Sequence, residues 1–195
     1  MMRRVTLVAA APTTAPRAAR FPLDDGVEPG ALDGTPPVAV GDAEGCRHGP
    51  ERRCVETARA LGLESAPLEP LRGWDLGSWA GRAVADVAAV EPDALAVWRR
   101  DPSAAPHGGE TLTDFLGRVA AWMEQPSECE RVVAVADASV VRAAVVHAMD
   151  AEWRAFWHLD VTPLSISALS RGRGMWRVRY LGLPARPSGT VHDDG

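Results

Sequence analysis

Hydrophobic and polar positions follow two periods along this chain, and the periods alternate. Val132 to Val135 is an unbroken run of apolar β-formers, too continuous for a strand with one wet face. After a short turn, Ala136-Asp137-Ala138, the positions Val140, Val141, Ala144, Val145, Ala148 and Met149 recur at helical spacing, with Ser139 placed to cap the helix. The stretch predicts a buried parallel strand feeding a helix. Ligands of open α/β sheets bind at the carboxyl ends of such strands, and Asp137 stands at that tip.

The same reading predicts a first strand from Arg4 to Ala9 and a helix from Glu51 to Leu61, with Cys54, Ala58 and Leu61 on one face and Gly62 ending it. Between them, residues 15 to 49 are rich in Pro, Gly and Asp and read as loop, with Pro37 to Val40 as a short strand. Leu68 to Gly81 carries a strand end and a Gly/Trp-rich loop. Helical patterns follow at Arg82 to Val90 and at Pro92 to Arg100, where Pro92 suits a first turn. Thr111 and Asp114 make a capping pair for an amphipathic helix through Leu112, Phe115, Leu116, Val119, Trp122 and Met123. Trp153, Phe156 and Trp157 share a helical face. Ser165 to Ser170 and Met175 to Tyr180 read as strands joined by Arg-Gly-Arg-Gly. Strands alternating with helices predict an α/β fold, a three-layer α/β/α sandwich around a mostly parallel sheet. Residues 1–183 read as one domain and 184–195 as a disordered tail.

Composition narrows the function. The chain has 195 residues, 46% of them hydrophobic, enough for a substantial core. A net charge of −5 argues against a general nucleic-acid binder, which needs a basic face to displace counterions. No run approaches the ~18 apolar residues of a membrane span. The start resembles a signal peptide, two Arg before an apolar stretch, but that stretch is short and contains Thr6, which favours a core strand. Three cysteines, Cys46, Cys54 and Cys129, lack metal or redox spacing, so reduced thiols in a cytoplasm are expected. Five histidines without paired spacing give no metal signature, and no cofactor is expected. A homodimer stays open.

Several segments, taken in order, resemble the histidine phosphatase superfamily, the phosphoglycerate-mutase-like fold. Gly49 to Leu61 is similar to that family's Ser-Pro-x-x-Arg-Ala-x-Gln-Thr-Ala helix, and Leu71 to Gly81 to its Leu-x-Glu-x-Asp-x-Gly-x-Trp-Glu-Gly loop. Pro106 to Val119 resembles its Gly-Gly-Glu-Ser segment with a downstream Arg, and Glu130 to Arg142 its strand and second-histidine turn. The resemblance implies a phosphohistidine formed in an Arg-His-Gly sequence at the end of the first strand, where this chain has Ala9, Ala10 and Ala11. It places the family's general acid at Gly73 and its second histidine at Asp137, and keeps one arginine, Arg53.

An alanine offers no nucleophile, and a carboxylate facing phosphate oxygens at ~4 Å costs on the order of 4 kcal/mol in a partly shielded site. The implied phosphatase reaction is therefore expected to be lost. These replacements predict an emptied, less polar pocket bordered by Ala9, Ala10, Gly73 and Trp74, suited to a bulky aromatic or polyketide-like metabolite. Asp137, its pKa raised by apolar surroundings, and His107 are the candidate proton-transfer pair, in a cyclase, isomerase or lyase step. For Asp137, capping the following helix is an alternative. Arg53 either holds an oxyanion or pairs with an acid in the core, and Glu110 either orients a neighbour or caps the helix at Thr111. A non-catalytic pseudophosphatase that binds a ligand or partner is the rival reading, and residual phosphomonoesterase activity a third.

Overall fold

The structure, a computed structural model, describes residues 2–17, 19–35, 43–126 and 129–184. Its strands are β1 (Arg3–Ala9), β2 (Gly45–His48), β3 (Ala66–Pro67), β4 (Arg131–Ala136), β5 (Ser165–Gly172) and β6 (Met175–Pro184). Its helices are α1 (Thr14–Arg17), α2 (Arg52–Ala60), α3 (Val84–Val90), α4 (Pro92–Arg100), α5 (Leu112–Glu124) and α6 (Ala138–Ala148). The strands form one sheet in the order β3-β2-β4-β1-β5-β6. The first four are parallel neighbours; β5 and β6 join antiparallel as a hairpin at one edge.

The apolar runs predicted from the sequence are continuous because both sheet faces are covered. Along β1, Val5, Leu7 and Ala9 face the core under α5 and α6, whereas Val8 and the following Ala10 face the core under α2. On β4, Ala134 and Ala136 take the first side, Val133 and Val135 the second. Helix α6 buries Val140, Val141, Ala143, Ala144, Val145, Val146 and Ala148, apolar nearly all round, as a helix wedged inside a core must be. A third cluster, Phe21, Leu76, Trp79, Val87 and Trp98, lies outside both faces and joins the main core through Trp74.

Four expectations change. The cap of α6 is Asp137, whose carboxylate accepts the Ser139 N–H, so Ser139 is the capped residue. The predicted loop over residues 15–49 contains β2, a four-residue strand without a β-branched residue, defined by pairing with β3 and β4. Trp153–His158 is 3-10 rather than α-helical, and the helix expected from Arg82 starts at Val84. The sheet is mostly parallel as expected, with its two C-terminal strands joined antiparallel at one edge. The predicted strand at Pro37 to Val40 and the tail beyond Pro184 lie outside the described residues. Thr111 caps α5 as expected, accepting from the Asp114 N–H. Among the described residues, no helix is long and apolar enough to cross a membrane.

Candidate functional site

Parallel pairing brings the strand tips together. Ala9 lies opposite Ala136 in register, the Ala10 N–H donates to the Ala136 carbonyl at 2.8 Å, and the Gly49 N–H donates to the Val135 carbonyl at 2.9 Å. Asp137 follows β4 at this junction. Arg53, in the first turn of α2, reaches across: its Nε donates to Asp137 Oδ2 at 3.1 Å, and its Nη1 to the Leu23 carbonyl at 2.9 Å. The Asp137 Oδ1 also accepts the Ser139 N–H at 2.8 Å and the Ser139 hydroxyl at 2.5 Å.

Asp137 thus accepts three hydrogen bonds in a largely buried ion pair. Burial alone would raise its pKa; Arg53 and both Ser139 donors outweigh that and hold it below the usual aspartate value. This reverses the raised pKa expected from the sequence, which assumed apolar surroundings without a facing cation. For Arg53, burial works against the charge, but Asp137 leads the neighbours that push its pKa above the ordinary arginine value. At this position the core pairing left open by the sequence is the one formed.

A cavity of about 500 Å³ opens beside this pair, bordered by Arg53, Gly73 and Trp74. It is not the apolar space expected. Asp24, Glu51, Glu69 and Asp75 line it alongside Arg53 and Arg72, and both arginines already meet carboxylates, Arg72 through Glu69 at 3.2 Å. Ala9 and Ala10 are buried and do not border the cavity. Other side chains close in on Gly73: a Cβ there would sit in ordinary contact, 3.4 Å from Arg53 Nη2 and Glu51 Oε1 and 3.5 Å from Asp137 Cβ.

Glu51 is the residue the sequence reading missed. Its Oε1 accepts the Gly73 N–H at 2.5 Å, and its Oε2 accepts the Cys54 thiol at 3.7 Å. Burial, seconded by Glu51, pushes that thiol well above its ordinary pKa and keeps it protonated. Asp24, also missed, accepts the Arg52 N–H and so caps α2 from a distant loop. An acid just before the helix was a weak signal for Glu51, while Asp24, in a Pro/Gly-rich segment, gave none.

His107 lies elsewhere. Its Nδ1 accepts the Gly109 N–H at 3.0 Å, its ring packs on Trp79 and Trp74 with centroids 5.3 and 6.4 Å away, and its Nε2 is buried without a partner. Burial lowers its pKa, Asp75 opposing, so the ring is neutral. His107 does not border the cavity, and its hydrogen bond runs to its own loop, so the expected proton-transfer pair with Asp137 is not assembled. The backbones of the loops at Asp75 and His107 touch directly, with the Ser78 N–H on the His107 carbonyl and the Glu110 N–H on the Asp75 carbonyl. Gly77, at φ +46, makes this approach possible, since a Cβ there would overlap the His107 carbonyl oxygen.

Trp74 anchors the loop instead of standing free. Its ring stacks on Trp98 at 5.2 Å and Phe115 at 5.8 Å, and its Nε1 donates to the Glu110 carbonyl at 2.8 Å. The Glu110 carboxylate holds Arg118 in two hydrogen bonds of 2.9 and 2.8 Å, and Arg118 donates in turn to the carbonyls of Pro70, Arg72 and Gly73. Glu110 therefore orients a neighbour, the first of its two expected roles. Replacing it with alanine frees a half-buried guanidinium and is expected to cost about 2 kcal/mol, measured by denaturant unfolding. A change below about 0.5 kcal/mol would show that the clamp contributes nothing.

Residues 40–184 match the histidine phosphatase superfamily (branch 1). A glucosyl-3-phosphoglycerate phosphatase of Mycolicibacterium vanbaalenii is 42% identical over 71 residues, 34% of this chain and 32% of that protein. The chain spans about a third of the length of the curated relatives it matches. An α-ribazole-5'-phosphate phosphatase structure from Escherichia coli superposes with a TM-score of 0.81 at 18% identity, covering 94% of this chain and 97% of that one. A phosphoserine phosphatase of Entamoeba histolytica, solved as a His-to-Ala variant in complex with phosphoserine, superposes at 0.76 with 12% identity, covering 92% and 96%. Both show the shared fold.

Proposed function

The chain belongs to the histidine phosphatase superfamily, and from that premise we propose that it is a pseudophosphatase, which works by binding and not by phosphoryl transfer. One observation carries this reading: the Asp137 carboxylate occupies the Arg53 guanidinium at the strand tips, where a phosphoryl group would need a free cation. The alanines at the end of β1 add that no imidazole nucleophile stands at the position where the family carries one. Phosphatase relatives set the opposite expectation, and the Entamoeba protein is instructive, since its His-to-Ala variant still holds phosphoserine. Removing a histidine is compatible with phosphomonoester binding in that protein. Here a carboxylate has been added as well, and it repels the same anion. The acid/base alternative, a cyclase, isomerase or lyase step on a bulky metabolite, has no geometry in its favour, because Asp137 is held ionised and His107 is turned into the aromatic cluster.

The protein is expected to release no phosphate from p-nitrophenyl phosphate and to bind no orthovanadate at millimolar concentration. Asp137→Asn keeps the helix cap and removes the charge, so Arg53 becomes free, and vanadate affinity should rise by about tenfold or more. Phosphate release by the unaltered chain, lost on Arg53→Ala, would overturn the proposal. So would vanadate binding indifferent to Asp137→Asn.

A further inference from the structure

On the far side of the aromatic cluster, a second cavity of about 470 Å³ is lined by Arg99, Arg100, Trp153, Arg154, Trp157 and His158. The last turn of α4 supplies two of these residues and the 3-10 segment Trp153–His158 the other four. The lining contains no carboxylate, and its polar side-chain atoms are guanidinium, indole and imidazole nitrogens. Arginine and indole nitrogens can only donate. This is unusual in a chain of net charge −5, in which Arg52, Arg53, Arg72, Arg82 and Arg118 all meet acids within 3.2 Å. Arg99 and Arg100 form no ion pair among the described residues. The carboxylate nearest Arg154 is Glu152, at 3.7 Å and largely in water, a pairing too long and too exposed to neutralise it. Asp101, next to Arg100, is committed to the Ser103 N–H and hydroxyl.

Two of the three guanidiniums also stack on the pocket's indoles. Arg99 lies 4.7 Å above the Trp157 ring and Arg154 4.4 Å above Trp153, so each stacks through its face and keeps its N–H edges free. The indole N–H of Trp157 is buried without an acceptor.

We propose that this pocket binds a small soluble ligand carrying two or more clustered phosphate groups. Three unneutralised cations need more charge than one phosphate supplies, and two phosphates provide it in a volume of this size. Planar guanidinium forks match phosphate oxygens in pairs. Because each indole already carries a stacked arginine, recognition runs through the phosphates and not through a ring laid on the tryptophans. The site is independent of the strand tips, where carboxylates outnumber free cations.

The test is calorimetric titration of the full chain with inorganic triphosphate, at low and at physiological salt, alongside tryptophan fluorescence. Expected is one-to-one binding that weakens with salt and falls about tenfold or more in Arg154→Ala and in Arg99→Ala. Arg154 is mostly exposed, so its truncation tests the site without threatening the fold. A double substitution on β6, Arg177→Ala with Arg179→Ala, should leave binding unchanged. Absence of triphosphate binding, or equal loss in the β6 variant, overturns the proposal. Binding to phosphatidylglycerol vesicles with none to triphosphate also overturns it. Asp137→Asn should not affect this titration, which separates it from the fate of the pseudophosphatase reading.

Discussion

Arg53→Ala is expected to destabilise the protein by about 3–5 kcal/mol, because it leaves the largely buried Asp137 carboxylate without its cation. For a domain of this length that corresponds to roughly 6–20 °C in melting temperature. Most of the loss should return in the double variant Arg53→Ala, Asp137→Asn, in which no charge is stranded. A double-mutant cycle then measures the coupling, and coupling near zero would mean that the pair contributes nothing despite its geometry. The pH dependence follows from the direction of the Asp137 shift. Its pKa in the folded protein lies below the unfolded value, so its contribution is complete above about pH 4 and is lost as the pH falls through the folded value. In Arg53→Ala, only the Ser139 donors and Arg142 are left to oppose burial, so that pKa lies higher than in the unaltered protein and this variant gains relative stability on acidification. The difference between the two proteins should narrow from neutral pH downward; a widening gap would contradict the assignment.

Trp79→Ala is expected to cost a similar amount, about 3–5 kcal/mol, for a different reason. Trp79 is fully buried and central to the cluster outside the sheet, with ring centroids 5.4 Å from Phe21, 5.6 Å from Trp98 and 5.3 Å from His107. Its indole N–H donates to Glu91, which also holds Arg82. Truncation opens a cavity and frees that acceptor together. The cluster ties the Phe21 loop, α3 and α4 to the rest of the molecule, so the damage should be local before it is global. Hydrogen exchange is the discriminating measurement: residues 74–110 should lose protection well ahead of β1 and β4. Uniform loss across the sheet would show that this cluster is not a separate cooperative unit.

The two predictions depend on residues of unequal legibility. Trp79 could be read as core from its place in a Gly/Trp-rich loop, although which rings it meets could not. Arg53 was readable as a candidate with two fates, ligand anchor or core partner. The choice depended on Asp137, 84 residues away. Asp137 itself was misjudged in charge state, because a pocket imagined as apolar turned out to be lined by Arg53 and Glu51, with Arg53 facing the carboxylate. His107, marked by its Gly-Gly-Glu context, was seen in sequence as free to act, and is instead a buried neutral ring. Glu51 escaped notice because its partners, the Gly73 N–H and the Cys54 thiol, are unremarkable until the loop folds over α2.

What the sequence by itself determined is what local periodicity encodes. The β4–α6 unit, the α4 and α5 helices, the β5–β6 hairpin and the presence of a two-sided core all follow from which positions are apolar and how often they recur. The family followed from segment order, and the alanines after β1 were plain to read. Only the tertiary structure decided the rest: that Gly45 to His48 form the short strand β2, that Asp137 neutralises Arg53, and that an arginine-lined pocket lies across the aromatic cluster from the strand tips. The physical reason is the same in each case. Strand pairing, ionisation and pocket charge depend on groups brought together from distant parts of the chain, and a one-dimensional pattern carries the identity of each group without its distance to the others.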